Sequence, residues 1–267
     1  MRALLVGVAL LFGAMSFASA QERVLSFGVL NQQSPAKTAE LWNPILHYLS
    51  DVTGLRFQLK MGATVQDTDA MMGRGEFDLL YTNHCFQKKY DGTYKVIARW
   101  AGPPIYGVIA VNADSPIKEL KALSGKRVAF PSTGAFVAYA VPMAALRAAQ
   151  VKVEPVYAGN QEGALAQLKA RQVDAAAVNS RFLTRYAAKQ RLRYREVFTS
   201  EAFADLPVVI HPRIPTAEAD AIRNALLSMK HDPRATTMLE RNSFSGFDAA
   251  SDSDYDNARK IYAKIHE

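Results

Sequence analysis

The stretch YGVIAVNADSPIKELKALSGKRVAF, residues 106–130, holds the pattern that decides the fold. Tyr106 to Val111 is an apolar run rich in β-formers, Ser115-Pro116 opens a helix that ends near Gly125, and Arg127 to Phe130 is a second β-rich run. The same alternation recurs along most of the chain. Further strands are expected at Val24 to Leu30, Phe57 to Met61, Asp78 to Thr82, Val96 to Trp100, Val153 to Tyr157, Asp174 to Asn179 and Val208 to His211. Between them lie helix-period segments, and strands alternating with helices predict an α/β fold of parallel sheets flanked by helices. Ser34-Pro35 opens the first helix, whose apolar residues Trp42, Ile45, Leu46 and Leu49 share one face. Pro44 either kinks that helix or marks the first turn of a shorter one capped by Asn43. A long helix is expected from Ala135 to Gln150, and beyond His211-Pro212 the pattern is purely helical, around Ala217 to Met229 and Tyr255 to His266.

Working outward, the N-terminus has the three parts of a secretory signal: Arg2, an apolar run from Ala3 to Phe17, and Ala18-Ser19-Ala20 as a small-residue cleavage site. Cleavage after Ala20 predicts a periplasmic, soluble mature chain. The apolar run is too short for a membrane span of about 20 residues, and no lipid-attachable cysteine follows it, since residue 21 is Gln. What remains is enough for one large domain or two of about 120 residues. The formal net charge of the 267 residues is +7, which favours the approach of anions. Nucleic acid is no partner for an exported chain. The densest basic stretch, Arg181, Arg185, Lys189, Arg191, Arg193 and Arg195, reads as a solvated helix face followed by a strand edge. Cys85 is the chain's single cysteine, which excludes an internal disulfide and leaves stability to the core.

With no repeat and no low-complexity linker, the best boundaries are two strand-rich crossings, near Tyr106 to Asn112 and near Asp205 to Pro212. They divide the mature chain into a discontinuous first lobe, residues 21–108 and 210–267, and a second lobe, residues 109–209. Two short crossings make a hinge, with a ligand cleft where strand ends and helix N-termini converge.

The quoted motifs continue beyond residues 106–130. Phe27-Gly28-Val29-Leu30 with Ser34-Pro35, Trp42-Asn43-Pro44, Gly75-Glu76-Phe77-Asp78, Leu123 to Phe130, Tyr139 to Pro142 and Val173 to Val178 follow one another at characteristic spacing. Over roughly residues 24 to 230 the chain resembles the phosphonate- and phosphite-type solute-binding proteins that feed ABC importers. They are a branch of the two-lobed type II periplasmic binding fold, with a hinge and an interlobe cleft. The departures from that family fall where it grips its ligand. Its hydroxyl-rich Ser-Thr-Ser-Gly at a helix N-terminus corresponds here to Ala135, Phe136, Val137 and Ala138, so that backbone donors and the helix dipole stand in for hydroxyls. Ser132 and Thr133 lie one to two residues before them. Its Gly-Ser-His-Asp corresponds to Gly159-Asn160-Gln161-Glu162, and its binding tyrosine to Val65.

Candidate ligand contacts follow from these positions and from strand ends: Ala135, Phe136, Ser132, Thr133, Asn160, Gln161 and Asn179. Tyr81, Asn83, His84 and Cys85 form a second group, an amide, an imidazole, a phenol and a thiol just beyond a strand end. The alternative is that His84 caps a helix and Cys85 packs as a small hydrophobe. A thiol in the cleft would suit a soft ligand, by similarity to arsenite-sensing relatives of the family. Tyr106 either bonds the ligand from the hinge or packs between lobes with its hydroxyl on backbone.

No metal-ligand spacing, phosphate loop or nucleophile elbow appears, and the five histidines are scattered. The expectation is a monomeric binding protein, neither an enzyme nor a holder of cofactor or metal. It would capture a small oxyanion or oxoacid for an ABC permease, or alternatively report a ligand to the sensor domain of a membrane histidine kinase.

Overall fold

The computed structural model describes residues 23–83, 86–241 and 244–266. The anticipated signal, and His84 and Cys85, lie outside them. No helix among the described residues is long and apolar enough to cross a membrane.

The chain opens with β1 (Val24–Val29), α1 (Pro35–Thr53), β2 (Arg56–Lys60), α2 (Val65–Gly73), β3 (Leu79–Tyr81) and β4 (Lys95–Trp100). It then crosses to β5 (Gly107–Asn112), β6 (Arg127–Phe130), α3 (Val141–Ala148), β7 (Glu154–Tyr157), α4 (Gln161–Lys169), β8 (Ala175–Asn179), α5 (Ser180–Gln190) and β9 (Tyr194–Thr199). Returning, it adds β10 (Pro207–Ile210), α6 (Thr216–Ser228), α7 (Pro233–Arg241), β11 (Phe247–Asp248) and α8 (Asp256–His266). Two sheets result, ordered β11-β4-β10-β3-β1-β2 and β7-β6-β8-β5-β9.

Parallel sheets were expected, yet both are mixed. In the first, β1 runs parallel to β2 and β3 while β10 pairs antiparallel with β3 and β4. In the second, β6 is parallel to β7 and β8 while β5 is antiparallel to β8 and β9. The strands that follow each crossing, β5 and β10, enter antiparallel, since a chain arriving from the other sheet needs no helical crossover, and the short β11 also pairs antiparallel with β4. Sheet membership also shifts the anticipated boundaries: residues 107–108 belong to the second sheet and 207–209 to the first.

Helix α1 buries the expected face: Trp42, Ile45, Leu46 and Leu49 are at most 4% exposed, and Pro44 sits within a continuous helix. Trp42 stands 5.1 Å from Phe27, 4.9 Å from Tyr81 and 5.8 Å from Trp100, ring centre to ring centre, tying helix to sheet. In the second sheet, Ala175, Ala176 and Ala177 of central β8 are fully buried, the continuous apolar run of a strand covered on both faces.

Two helices differ from expectation for identifiable reasons. Residues 115–125 form only a short turn, Leu120–Leu123. The Arg195 guanidinium donates to the carbonyls of Ala113, Ser115 and Ile117, which a helix would need for itself. The long helix from Ala135 begins as a π turn, Phe136–Ala140, closed by Ala140 N–H to Ala135 O at 3.1 Å, before α3 starts at Val141. Pro142 has no N–H to give a regular helix starting at 135, so the register changes just ahead of it.

The π turn is packed tightly onto β5. A Cβ on Gly107 would lie 2.3 Å from Val137 O, so only glycine admits this approach. From there Phe136, Val137 and Val141 join Leu80, Val96 and Val209 of the first sheet, Phe77 just before β3, and Tyr255 and Tyr262 of the C-terminal region in one apolar cluster. The two sheets therefore share a core beside the cleft.

Candidate functional site

The C-terminal ends of β1, β3 and β8 point to one place, met there by the N-termini of α1, α4 and α5 and by the π turn. Sheets built this way leave a crevice at strand ends, where ligands bind. A cavity of about 260 Å³ occupies it, walled by Gln32, Lys37, Trp42, Tyr81 and Trp100 from one lobe, by Gln161, Asn179, Arg181 and Arg185 from the other, and by Asp205 from the crossing between β9 and β10. A recess of about 30 Å³ shares Leu30, Gln32, Gln161 and Asn179 with it and ends on Asn83, Ala135 and Phe136.

Charge in the cavity is cationic: Lys37, Arg181, Arg185, Lys189 and Arg241 against Glu40 and Asp205. Two of the cations are committed. Lys37, at the start of α1, bonds Glu162 of α4, an ion pair that spans the cleft. Arg181 donates to Asp205 at 2.6 Å and also to Pro103 O, fastening α5 to both crossings. Asp205 is 7% exposed and accepts further bonds from Leu206 N–H at 2.7 Å and the Tyr81 hydroxyl at 3.4 Å. Burial pushes its carboxyl above the ordinary value, against the pull of Arg181. Tyr81, 6% exposed, is pushed up well above the ordinary phenol, first by burial and then by the Asp205 charge.

Arg185 has no hydrogen-bond or ion-pair partner among the described residues and stands on the cavity wall. Although it is reached by solvent, the surrounding protein strips enough water from its guanidinium to lower its pKa, and neighbouring Arg181 adds to the effect. An unpaired guanidinium in a concave, partly dry setting is a fork of donors awaiting an anion.

The anticipated contacts divide. Gln161 is 5% exposed, and its Oε1 accepts from Asn179 N–H at 2.7 Å, leaving its NH₂ without a hydrogen-bond partner among the described residues. Asn179 caps α5 through Oδ1, at 2.9 Å from Arg181 N–H, and its NH₂ is likewise unengaged. Both border cavity and recess. Tyr81 lines the cavity, and Asn83, Ala135 and Phe136 line the recess. Asn160 caps α4, its Oδ1 accepting from Gly163 N–H at 2.8 Å, and borders neither space. Ser132 and Thr133 also border neither. The side chain of Tyr106 packs on the second sheet's core, with its backbone bonded to Ser180.

The π turn is not the open anion seat that its position suggested. Phe136 is 4% exposed and sits in an aromatic cluster with Phe86, Phe203 and Tyr262, at 5.6, 4.9 and 5.8 Å. Its side chain closes the recess with carbon where hydroxyls were the family pattern. Cations lie instead on α5. Residues 181, 185 and 189 repeat at helical spacing and so share a stripe, a signal present in the sequence but read as a solvated face. Lys37, Gln32 and Asp205 carried no such signal.

Two mixed sheets joined by two crossings, with a cleft at the converging helix N-termini, make the fold of the type II periplasmic binding proteins. The chain belongs to the family described as "ABC transporter, phosphonate, periplasmic substrate-binding protein", whose model matches residues 27–255. It is 24% identical over 254 residues to the phosphonates-binding periplasmic protein of Escherichia coli K12, covering 88% of this chain and 75% of that one. Among solved structures it is similar to a binding-protein component of an ABC phosphonate transporter from Pseudomonas aeruginosa. That match has a TM-score of 0.82 at 16% identity, over 91% of this chain and 87% of the other. It is also similar to PhnD1 of Prochlorococcus marinus in complex with methylphosphonate, with a TM-score of 0.79 at 16% identity, over 91% and 98%.

Proposed function

We propose that this protein is the periplasmic capture component of an ABC importer, and that it holds a small organic anion of the phosphonate type in the cleft between its sheets. Family membership supports the transport role and, with it, a permease as partner. The observation that carries the ligand class is Arg185, a guanidinium on the cavity wall with no hydrogen-bond or ion-pair partner among the described residues, on the same wall as the amide groups of Gln161 and Asn179. A strong bidentate contact and two neutral donors suit an oxyanion better than a cation or a sugar. The cavity volume of about 260 Å³ favours a ligand of few heavy atoms. No reacting group is needed for this role; the ligand is bound and released unchanged.

Both tryptophans of the chain, Trp42 and Trp100, line the cavity and report its occupation. Titrating the protein with methylphosphonate and ethylphosphonate should change intrinsic fluorescence saturably, and Arg185→Gln should weaken binding at least tenfold. Occupation should also raise the melting temperature, with about 2.7 kcal/mol gained at 100 times Kd. Absence of any saturable signal, or a titration indifferent to Arg185→Gln, refutes the assignment.

A further inference from the structure

The recess beyond the cavity is uncharged. Its walls are the carbon of Ala135, Phe136 and Ala138, interrupted by the amides of Asn83, Gln161 and Asn179. Its volume of about 30 Å³ compares with about 10–15 Å³ for a single water, so it has room for two or three heavy atoms and none for a tetrahedral oxyanion.

Asn83 gives the recess its chemistry. It is 1% exposed, and its NH₂ group donates to Gly134 O at 2.9 Å and to the Tyr262 hydroxyl at 3.0 Å. Because a carbonyl can only accept, the bond to Gly134 O fixes which end of the amide is nitrogen. The other end, Oδ1, is buried and has no hydrogen-bond partner among the described residues. A buried acceptor left unpaired is costly, and in a ligand-binding cleft the group that relieves it is a donor brought by the ligand.

We infer that the recess receives the uncharged end of the ligand, a short carbon group bearing one hydrogen-bond donor for Asn83 Oδ1, so that the anionic group stays outward at Arg185. The inference rests on the anion-capture reading above and adds its polarity and a substrate class: short hydroxyalkyl phosphonates in preference to plain alkyl or inorganic anions. The donor is a hydroxyl and not an ammonium, because no carboxylate among the described residues lines the recess. The acid nearest in sequence to its lining residue Leu206 is Asp205, already held by Arg181, Leu206 N–H and Tyr81. A protonated amine would lose its hydration there without a counter-charge.

Isothermal titration of the unmodified protein with 2-hydroxyethylphosphonate, ethylphosphonate, 2-aminoethylphosphonate and inorganic phosphate tests this directly. The expected order places the hydroxyethyl compound at least tenfold tighter than the ethyl compound, with the aminoethyl compound and phosphate weaker than both. Filling the recess by Ala135→Leu should collapse the hydroxyethyl-over-phosphate preference to about twofold or less. Equal affinity for hydroxyethyl and ethyl ligands would mean that water serves Asn83, and tighter binding of the aminoethyl compound or of phosphate would reverse the polarity; either overturns the inference while leaving anion capture intact. No binding by any of the four overturns both. The ligand series on the unmodified protein decides the matter even if the leucine variant does not fold.

Discussion

Replacing Arg181 by methionine keeps most of the side chain's length and removes the cation bound to Asp205 at 2.6 Å. The carboxylate would then remain in a site only 7% exposed, with Leu206 N–H and the Tyr81 hydroxyl as its remaining donors. Breaking one partner from a fully buried ion pair costs about 3–5 kcal/mol. The Arg181 side chain is 25% exposed, so water can approach the vacated position, and about 2–3 kcal/mol is the expected loss at neutral pH.

The pH dependence gives the cause a signature. Asp205 already has a folded-state pKa above its ordinary 3.8, owing to burial. A raised acid contributes stability that is present below the unfolded value and lost as pH rises through the folded one. Loss of the Arg181 charge raises the folded value further, so the variant keeps losing stability over a pH range where the unmodified protein has stopped. The penalty should therefore be small near pH 4 and full near pH 7. Urea denaturation at pH 4, 5.5 and 7 reads this out, with a midpoint shift of about 1 M at pH 7. Asp205→Asn in the Arg181→Met background should restore most of the loss. A penalty that does not vary with pH, or a double variant no more stable than the single, would refute an electrostatic role for the pair.

Other perturbations separate packing from binding. Gly107→Ala places a Cβ 2.3 Å from Val137 O, so strand β5 or the π turn must move, with an expected cost of about 1–3 kcal/mol in thermal denaturation. Asn160→Ala and Asn179→Ala each remove a helix cap worth about 1 kcal/mol. Calorimetry should find ligand affinity reduced only in the second, because only Asn179 faces the cavity. Tyr106→Phe should bind ligand with unchanged affinity, since Tyr106 packs on the second sheet's core and borders neither cavity nor recess.

Strand positions were legible because the core writes them as apolar runs: the nine anticipated strands all form, including Arg127–Phe130 at its expected bounds. Strand β11, two residues long, is too short to leave a periodic trace. Helix α1 was legible through the stripe that Trp42, Ile45, Leu46 and Leu49 make, while the helix expected at 115–125 was undone by a residue 70 or more positions away, as Arg195 took its carbonyls. That competition is tertiary, and local pattern carries no mark of it. Asn160 and Asn179 show the same limit within a site. Each reads as a candidate ligand contact, each proves to be a helix cap, and only the sheet order, with β8 central and β7 at an edge, puts one of them in the cleft.

The α5 stripe carries this reasoning furthest. Residues 181, 185 and 189 announce a cationic face in the sequence, but a helix face alone does not say what it looks at. Direction comes from the chain on either side of α5. Strand β8 ends at the cleft and passes directly into the helix through the Asn179 cap, so the helix's first turn starts where the ligand cavity is. Arg181 then reaches both crossings, Pro103 in one and Asp205 in the other, which turns the next position of the stripe, Arg185, along the cavity wall. One arginine thus positions the helix by being paired, and its neighbour one turn later, with no hydrogen-bond or ion-pair partner among the described residues, is the one proposed to receive the anion. On that proposal, the charge that reads as a solvated face is divided between fastening α5 to the two crossings and receiving what binds between the sheets.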